Sequence, residues 1–355
     1  MIPTLLSLVG PRTGGDPMGE AKFVRRSLAA LGTELADHGF AACPTTVARL
    51  LRAEGYSPRI NVKRFTGPDH PERDRQFRNI EEWIAIFRGL GQPIISVDGK
   101  KKELVGNFKN AGAAWLREPE EVNVYDFLSD AECRATPYGI YDVLSGRGHV
   151  CVGSSADTPA FAVEAIGSWW ARHGSERYRG ADELLILADG GGSNGHRPRL
   201  WKAALQERIA DRYGLHVTVC HYPTGASKWN PVEPRLFGPV SINWAGQPLR
   251  RLETMLGWVR GTTVGGFGVT ASLDRAEYPR KVKVPEAVMR RLDLERHGVC
   301  PEWNDTIGPG RRNSRADGVQ RELGSSSWMA TSTRVVGRVG ASGQSTSARA
   351  RWPGW

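Results

Sequence analysis

Apolar positions along this chain follow two rhythms, and the switches between them outline an α/β protein. Leu184 to Ala188 is an unbroken apolar run that ends in Asp189 and a glycine cluster, the pattern of a buried parallel strand delivering a carboxylate to a sheet edge. From Arg197 to Tyr213 the rhythm turns helical, with Leu200, Trp201, Ala204, Leu205 and Ile209 on the face that would cover that sheet. A second strand, Leu215 to Cys220, follows. The chain then turns through Pro223 and Gly225 and presents Lys228, Trp229, Asn230 and Glu233 as it enters another helix. Asp189 and Glu233, 44 residues apart, are thereby expected at the same end of one sheet.

Upstream, Ile94 to Val97 reads as a short strand ended by Asp98 and followed at once by Lys100, Lys101 and Lys102. Residues 104–135 form an excursion that includes VNVYDF around Asp126, and YGIYDVLSGRGHVCVG reads as a hairpin turning at Ser145 to Gly148. Asp157 and Thr158 before Pro159 make a good helix start. In the helix that follows, Phe161, Ile166, Trp169 and Trp170 form an apolar stripe better suited to core packing than to stacking on bases. Three antiparallel strands followed by β-α-β units in one mixed sheet, with flanking helices, is the ribonuclease-H-like architecture. Its first and fourth strands lie side by side, which would set Asp98 beside Asp189.

The N-terminal part has a different character. Residues 1–20 are rich in Gly and Pro and begin abruptly, without an obvious start to a domain. Residues 26–38 carry Leu28, Leu31 and Leu35 on one face and stop at Gly39, and PTTVARLLRAEG repeats the pattern with Val47, Leu50 and Leu51. Two short helices across a tight turn, the second dotted with Thr46, Arg49 and Arg52, fit a small all-α helix-turn-helix region, although any αα-hairpin has this periodicity. The expected organisation is a helix-turn-helix DNA-binding region over 1–62, a linker and connecting helix over 63–90, the ribonuclease-H-like domain over 91–308, and a disordered basic tail over 309–355.

Charge changes this picture little. The formal net charge is +10, but eight arginines after Pro309 against Asp317 and Glu322 account for +6 of it, so a nucleic-acid reading must rest on local clusters. The five cysteines, at 43, 133, 151, 220 and 300, lack paired spacing and read as reduced thiols rather than disulfides or a zinc site. With no long apolar run and no leader pattern, the expectation is a soluble cytosolic protein without a membrane partner.

Three acids at one sheet end suit divalent metal chemistry. Mg²⁺ takes oxygen ligands and is commonly held by one or two carboxylates plus substrate phosphates. Two such ions about 4 Å apart can serve an in-line phosphoryl displacement. Asp98 and Asp189 would share one ion and Glu233 would help hold the second. The residues also admit plainer roles: Asp189 opening the turn into GGGSNG, Glu233 closing a capping box three residues after Asn230, and the lysine triplet as a solvated loop. No Gly-Lys-Ser/Thr follows the glycines, so they do not form a P-loop. His149 and His221 lack ligand-spaced partners and read as structural.

The segments ISVDGKKKELVGNFKN, PYGIYDV, DTPAFAVEAIGSWW, LADGGGSNGHRPRLWK and HYPTGASKWNPVEPRLF resemble, in order, those of the ISAzo (Rhodopirellula-type) family of insertion-sequence transposases. The resemblance runs over roughly residues 8–308, and GGGSN and SKWN-x-x-E are its specific motifs. It implies a DDE transposase with Asp98, Asp189 and Glu233 as the metal-binding triad, Asp126 in reserve for the first acid, and Lys228, Trp229 and Asn230 as DNA-contacting or positioning groups. It further implies two Mg²⁺ ions, with Mn²⁺ as a substitute, hydrolysis at an element end, and attack of the freed 3′-hydroxyl on target DNA. The implied partners are terminal inverted repeats, target DNA and further copies of the chain on DNA, in a bacterial cytosol or nucleoid. Gly99 stands where the family has Thr and Pro234 where it has His, a change expected to tilt Glu233. The N-terminus begins inside the family's pattern, and the tail after residue 307 reads as a frameshifted or read-through ending. An inactive remnant and a helix-turn-helix regulator of element ends are the alternative readings.

Overall fold

The computed structural model describes residues 1–9, 13–15, 22–24, 27–56 and 70–310. The basic tail and most of the proposed linker lie outside them. The chain divides into two compact units, Met1–Gly67 and Pro68–Trp355.

In the first unit three helices, α1 (Ile2–Val9), α2 (Leu28–Asp37) and α3 (Pro44–Ala53), enclose a small core of Leu5, Val9, Leu31, Leu35, Val47, Leu50 and Leu51. A two-stranded antiparallel ribbon, β1 (Thr13–Gly15) and β2 (Lys22–Val24), accompanies them. The Ser27 side chain accepts from the Ala30 amide and so fixes the start of α2. Gly32 permits close packing against the interhelical turn, because a Cβ there would lie 2.7 Å from the Ala42 carbonyl oxygen. α1 lies in the stretch for which the sequence named no element.

The second unit is built on one long mixed sheet. Its strands are β3 (Ile94–Gly99), β4 (Glu103–Val105), β5 (Cys133–Asp142), β6 (Arg147–Gly153), β7 (Glu183–Asp189), β8 (His216–Tyr222), a small hairpin of β9 (Thr263–Val264) and β10 (Phe267–Gly268), β11 (Thr270–Asp274), β12 (Leu294–Arg296) and β13 (Asn304–Ile307). The order across the main sheet is β11-β6-β5-β3-β7-β8-β13-β12. β3, β7 and β8 are parallel, while β5 and β6 are antiparallel to their neighbours β3 and β5. The segment β6-β5-β3-β7-β8 puts the first strand of the domain between the second and the fourth, which is the ribonuclease-H-like order. β11 to β13 extend both edges of that sheet beyond the sequence expectation.

Successive residues of the central strands feed opposite cores, as a sheet covered on both sides requires. Ile95, Val97, Ile186, Ala188, Val217 and Val219 pack under α5 (Pro159–Trp169) and α6 (Arg199–Leu205), whose Phe161, Ile166, Trp169, Trp201 and Leu205 complete the larger core. Trp169 and Trp170 are both buried, as the stripe required. Ile94, Leu185, Leu187 and Cys220 face the other way, against Ile80 and Phe87 of α4 (Arg73–Leu90). α4 thus covers a sheet face, a structural part beyond the connector expected of it. Further along come α7 (Gly238–Asn243), α8 (Leu252–Arg260) and α9 (Glu286–Met289). The excursion is rooted in the sheet, since Glu103 of β4 pairs with Ala135 of β5. All five cysteines are free.

Candidate active site

Register decides which acids meet. Val97 lies opposite Ala188 in the parallel pair β3–β7. The next residues, Asp98 and Asp189, therefore stand side by side at the strand ends and on one face. Asp126, the reserve for the first acid, is exposed on the excursion and lines a separate depression with Lys101 and Lys102. The structure brings Asp98, and not Asp126, to Asp189.

Asn230 ties this pair to the helix that carries the third acid. Its Nδ2 donates to the Val97 carbonyl at 3.1 Å and to Asp189 Oδ1 at 3.0 Å. Its Oδ1 accepts from Ser96 Oγ at 2.9 Å and from the Val232 amide at 3.1 Å. Asn230 is wholly buried. That corrects its expected place among DNA-contacting groups, because a side chain with every hydrogen-bonding arm satisfied inside the protein positions its neighbours instead. The Asn230 amide donates to Ser227 O, so Glu233 is not spent on a capping box.

Glu233 opens a π-helical turn, Glu233–Phe237, that runs into α7. Pro234 sits inside this wide turn, and Glu233 remains exposed. The turn lies directly on β5: Gly139 pairs with Asp98, and a Cβ on Gly139 would meet Phe237 Cζ at 2.7 Å and Val232 Cγ1 at 2.8 Å. Gly148 on β6 makes the same allowance for Leu236, at 2.5 Å. Gly139 was not singled out from sequence and Gly148 was placed in the hairpin turn rather than in β6, although an isolated strand glycine is the known sign of a close backbone approach.

The acids open onto a cleft of about 700 Å³ lined by Asp98, Asp157 and Asp189 together with the Gly190–Gly195 loop. Burial, then the charge of Asp189, and more weakly those of Glu233 and Asp157, push the Asp98 carboxyl up to about 7, against an opposing hydrogen bond from the Gly99 amide. Burial also raises Asp189, against the hydrogen bond from Asn230 that lowers it. His221, buried between the carbonyls of Trp303 and Asn194, and His149, buried between Thr270 and Ser272, are both lowered by burial and are structural.

The donor set fits a divalent cation. Hard carboxylate oxygens stand together, and among the described residues no ion pair involves Asp98, Asp189 or Glu233. No group of three or more His, Cys, Asp or Glu side chains among the described residues is already arranged to enclose an ion. Asp98 and Asp189 are held at the strand ends, and Glu233 is exposed on the turn beside them.

The basic candidates divide by burial. Lys100 pairs with Glu103 at 2.7 Å and lies over Trp244, so it is spent on the protein. Lys101 and Lys102 line a depression with Lys109 and Arg134. Lys228 lies 5.6 Å from the centre of the Trp229 ring, which is 57% exposed and meets Phe77 edge-on. On α3, Arg49 and Arg52 are exposed and Thr46 is half-buried against Cys43. No described helix is long and apolar enough to cross a membrane.

The sequence matches a family described as the Rhodopirellula transposase DDE domain over residues 4–309. No curated protein matches. Among solved structures, the Mos1 transposase paired-end complex with left transposon end aligns at 12% identity and a TM-score of 0.38, covering 73% of this chain and 69% of that one. The Mos1 strand transfer complex aligns at 13% identity and a TM-score of 0.38, covering 73% of this chain and 68% of that one.

Proposed function

This chain belongs to the Rhodopirellula transposase DDE-domain family, and from that premise we propose that it cuts the ends of its own element and joins the freed 3′-hydroxyl to target DNA. The observation that carries the reading is the convergence of Asp98 and Asp189, through the β3–β7 register and the Asn230 bridge, beside the turn that bears Glu233.

In this reading Asp98, Asp189 and Glu233 hold two Mg²⁺ ions, or Mn²⁺ in their place. Cations held there by these carboxylates would supply charge to activate an attacking oxygen and to stabilise a leaving one in an in-line displacement at phosphorus. The chain's own groups set the geometry. Asn230 keeps one carboxylate oxygen of Asp189 occupied and leaves the other turned to the cleft. Lys101, Lys102, Lys228 and Trp229 lie outside the acids, where backbone phosphates and an unstacked base would be held. Both the cutting and the joining step displace at phosphorus, so one site serves both. Arg49, Arg52 and Thr46 of α3 are assigned to the element's terminal repeats, with a second copy of the chain on the other end.

The test is strand cleavage of a labelled element end with Mg²⁺ or Mn²⁺. The parent should cut, and Asp189→Asn should lose at least about a thousandfold in rate while still binding the end. Equal rates in the two proteins would refute the assignment. End binding without cleavage by the parent would instead favour the regulator or inactive-remnant reading.

A further inference from the structure

A fourth carboxylate stands at the same cleft. Asp157 immediately precedes α5, where acids commonly serve as helix caps, yet the cap is its neighbour: Thr158 Oγ1 accepts from the Phe161 amide. Asp157 is therefore free of the duty its position suggests. Its Oδ1 is shut off from solvent and has no hydrogen-bond partner, a costly state for a carboxylate oxygen. Its Oδ2 lies 3.8 Å from the point a Cβ on Gly99 would occupy, at the end of the strand that delivers Asp98. Among the described residues no cation forms an ion pair with it.

A second unsatisfied group points to the same place. Tyr138 is wholly buried on β5, paired with Gly99, and its hydroxyl also lacks a partner. That hydroxyl lies within electrostatic reach of both Asp98 and Asp157. A buried donor and a buried acceptor, both unspent and both close to the strand-end acids, are unmet polar groups at the margin of the cleft that Asp98, Asp157 and Asp189 line.

We propose that Asp157 is a fourth carboxylate of the metal site, engaging the cation directly or through one of its waters, with the Tyr138 hydroxyl as the donor that steadies that shell. This rests on the metal-site reading of Asp98 and Asp189. It also gives Gly99 a role: no side chain at 99 stands between Asp98 and Asp157, so the carboxylates of the sheet and of the α5 start face one space.

The experiment titrates Mn²⁺ into the full chain, followed by water-proton relaxation, for the parent, Asp189→Asn and Asp157→Asn, with thermal melts of each in EDTA. The parent should bind and Asp189→Asn should lose that binding, which establishes the underlying site. Against that background, Asp157→Asn should weaken Mn²⁺ at least about tenfold, as loss of a ligand or of its immediate partner does, while its melt in EDTA stays at or above the parent's. Parent-like Mn²⁺ affinity in Asp157→Asn would overturn the proposal, and so would a collapsed melt in EDTA, since either makes Asp157 a structural acid paired with Tyr138. Unchanged binding in Asp189→Asn would remove the site reading itself, and this inference with it.

Discussion

Replacing Asp98 by Asn tests the electrostatics of the site without any DNA. Asp98 is held at about 7, against an ordinary 3.8, by burial and by the charge of Asp189. Below about pH 3.8 both the folded and the unfolded chain carry the proton, and the group contributes no difference. Between about 3.8 and 7 the folded protein keeps a proton that the unfolded chain has released, so stability falls as pH rises. Above about 7 the penalty is fully present. At about 1.4 kcal/mol per pH unit the ceiling is ~4 kcal/mol. Relaxation of the partly open cleft reduces this to about 2 kcal/mol, or about 4–8 °C in Tm for a unit of this size. Asn matches the neutral acid in shape and never ionises. In EDTA, Asp98→Asn should therefore melt only slightly above the parent at pH 5 and well above it at pH 8.5, and plotting the difference between the two cancels the titrating groups that do not interact with Asp98. Added Mg²⁺ should reverse the order at pH 8.5 by stabilising only the parent, by about 2.7 kcal/mol at about a hundred times its Kd. A difference that stays flat with pH, or a metal-free Asn variant that is less stable at pH 8.5, would refute the crowding argument.

Three further outcomes follow from the same geometry. Asn230→Ala strands polar groups on Ser96, Val97 and Val232 and frees Asp189; urea melts should show a loss of about 2–4 kcal/mol, and a loss below about 1 kcal/mol would contradict the bridge. Gly139→Val drives a side chain into Phe237 and Val232, so it should cost about 1–3 kcal/mol and lower end cleavage in protein whose circular dichroism is retained; unaltered cleavage would place the Glu233 turn elsewhere. Lys101→Gln with Lys102→Gln should weaken DNA of any sequence and flatten the slope of log K against log salt by about 1.8, measured by anisotropy; an unchanged slope would free both lysines from phosphate contact.

The parts legible in the sequence were those written locally. Strands ending in Asp98 and Asp189, the hairpin, the Trp169 and Trp170 helix and the α2–α3 pair each carry their own periodicity, and their order alone implies the sheet that sets β3 beside β7. α1 escaped notice because eight residues amid Gly and Pro give too little periodicity, and β11 to β13 because strands of five residues or fewer gain their stability from the strands they join.

What tertiary structure alone decided is which distant groups share a surface. Asn230 reads in sequence as a polar loop residue, yet it is buried because folding sets it against Val97, 133 residues away. Gly139 and Gly148 matter only once a helix from beyond residue 230 settles on their strands. Asp157 looks like a cap until Thr158 is seen to do that work. Periodicity records which face of an element is apolar; it carries no information on which other element will meet that face, and the site is assembled from those meetings.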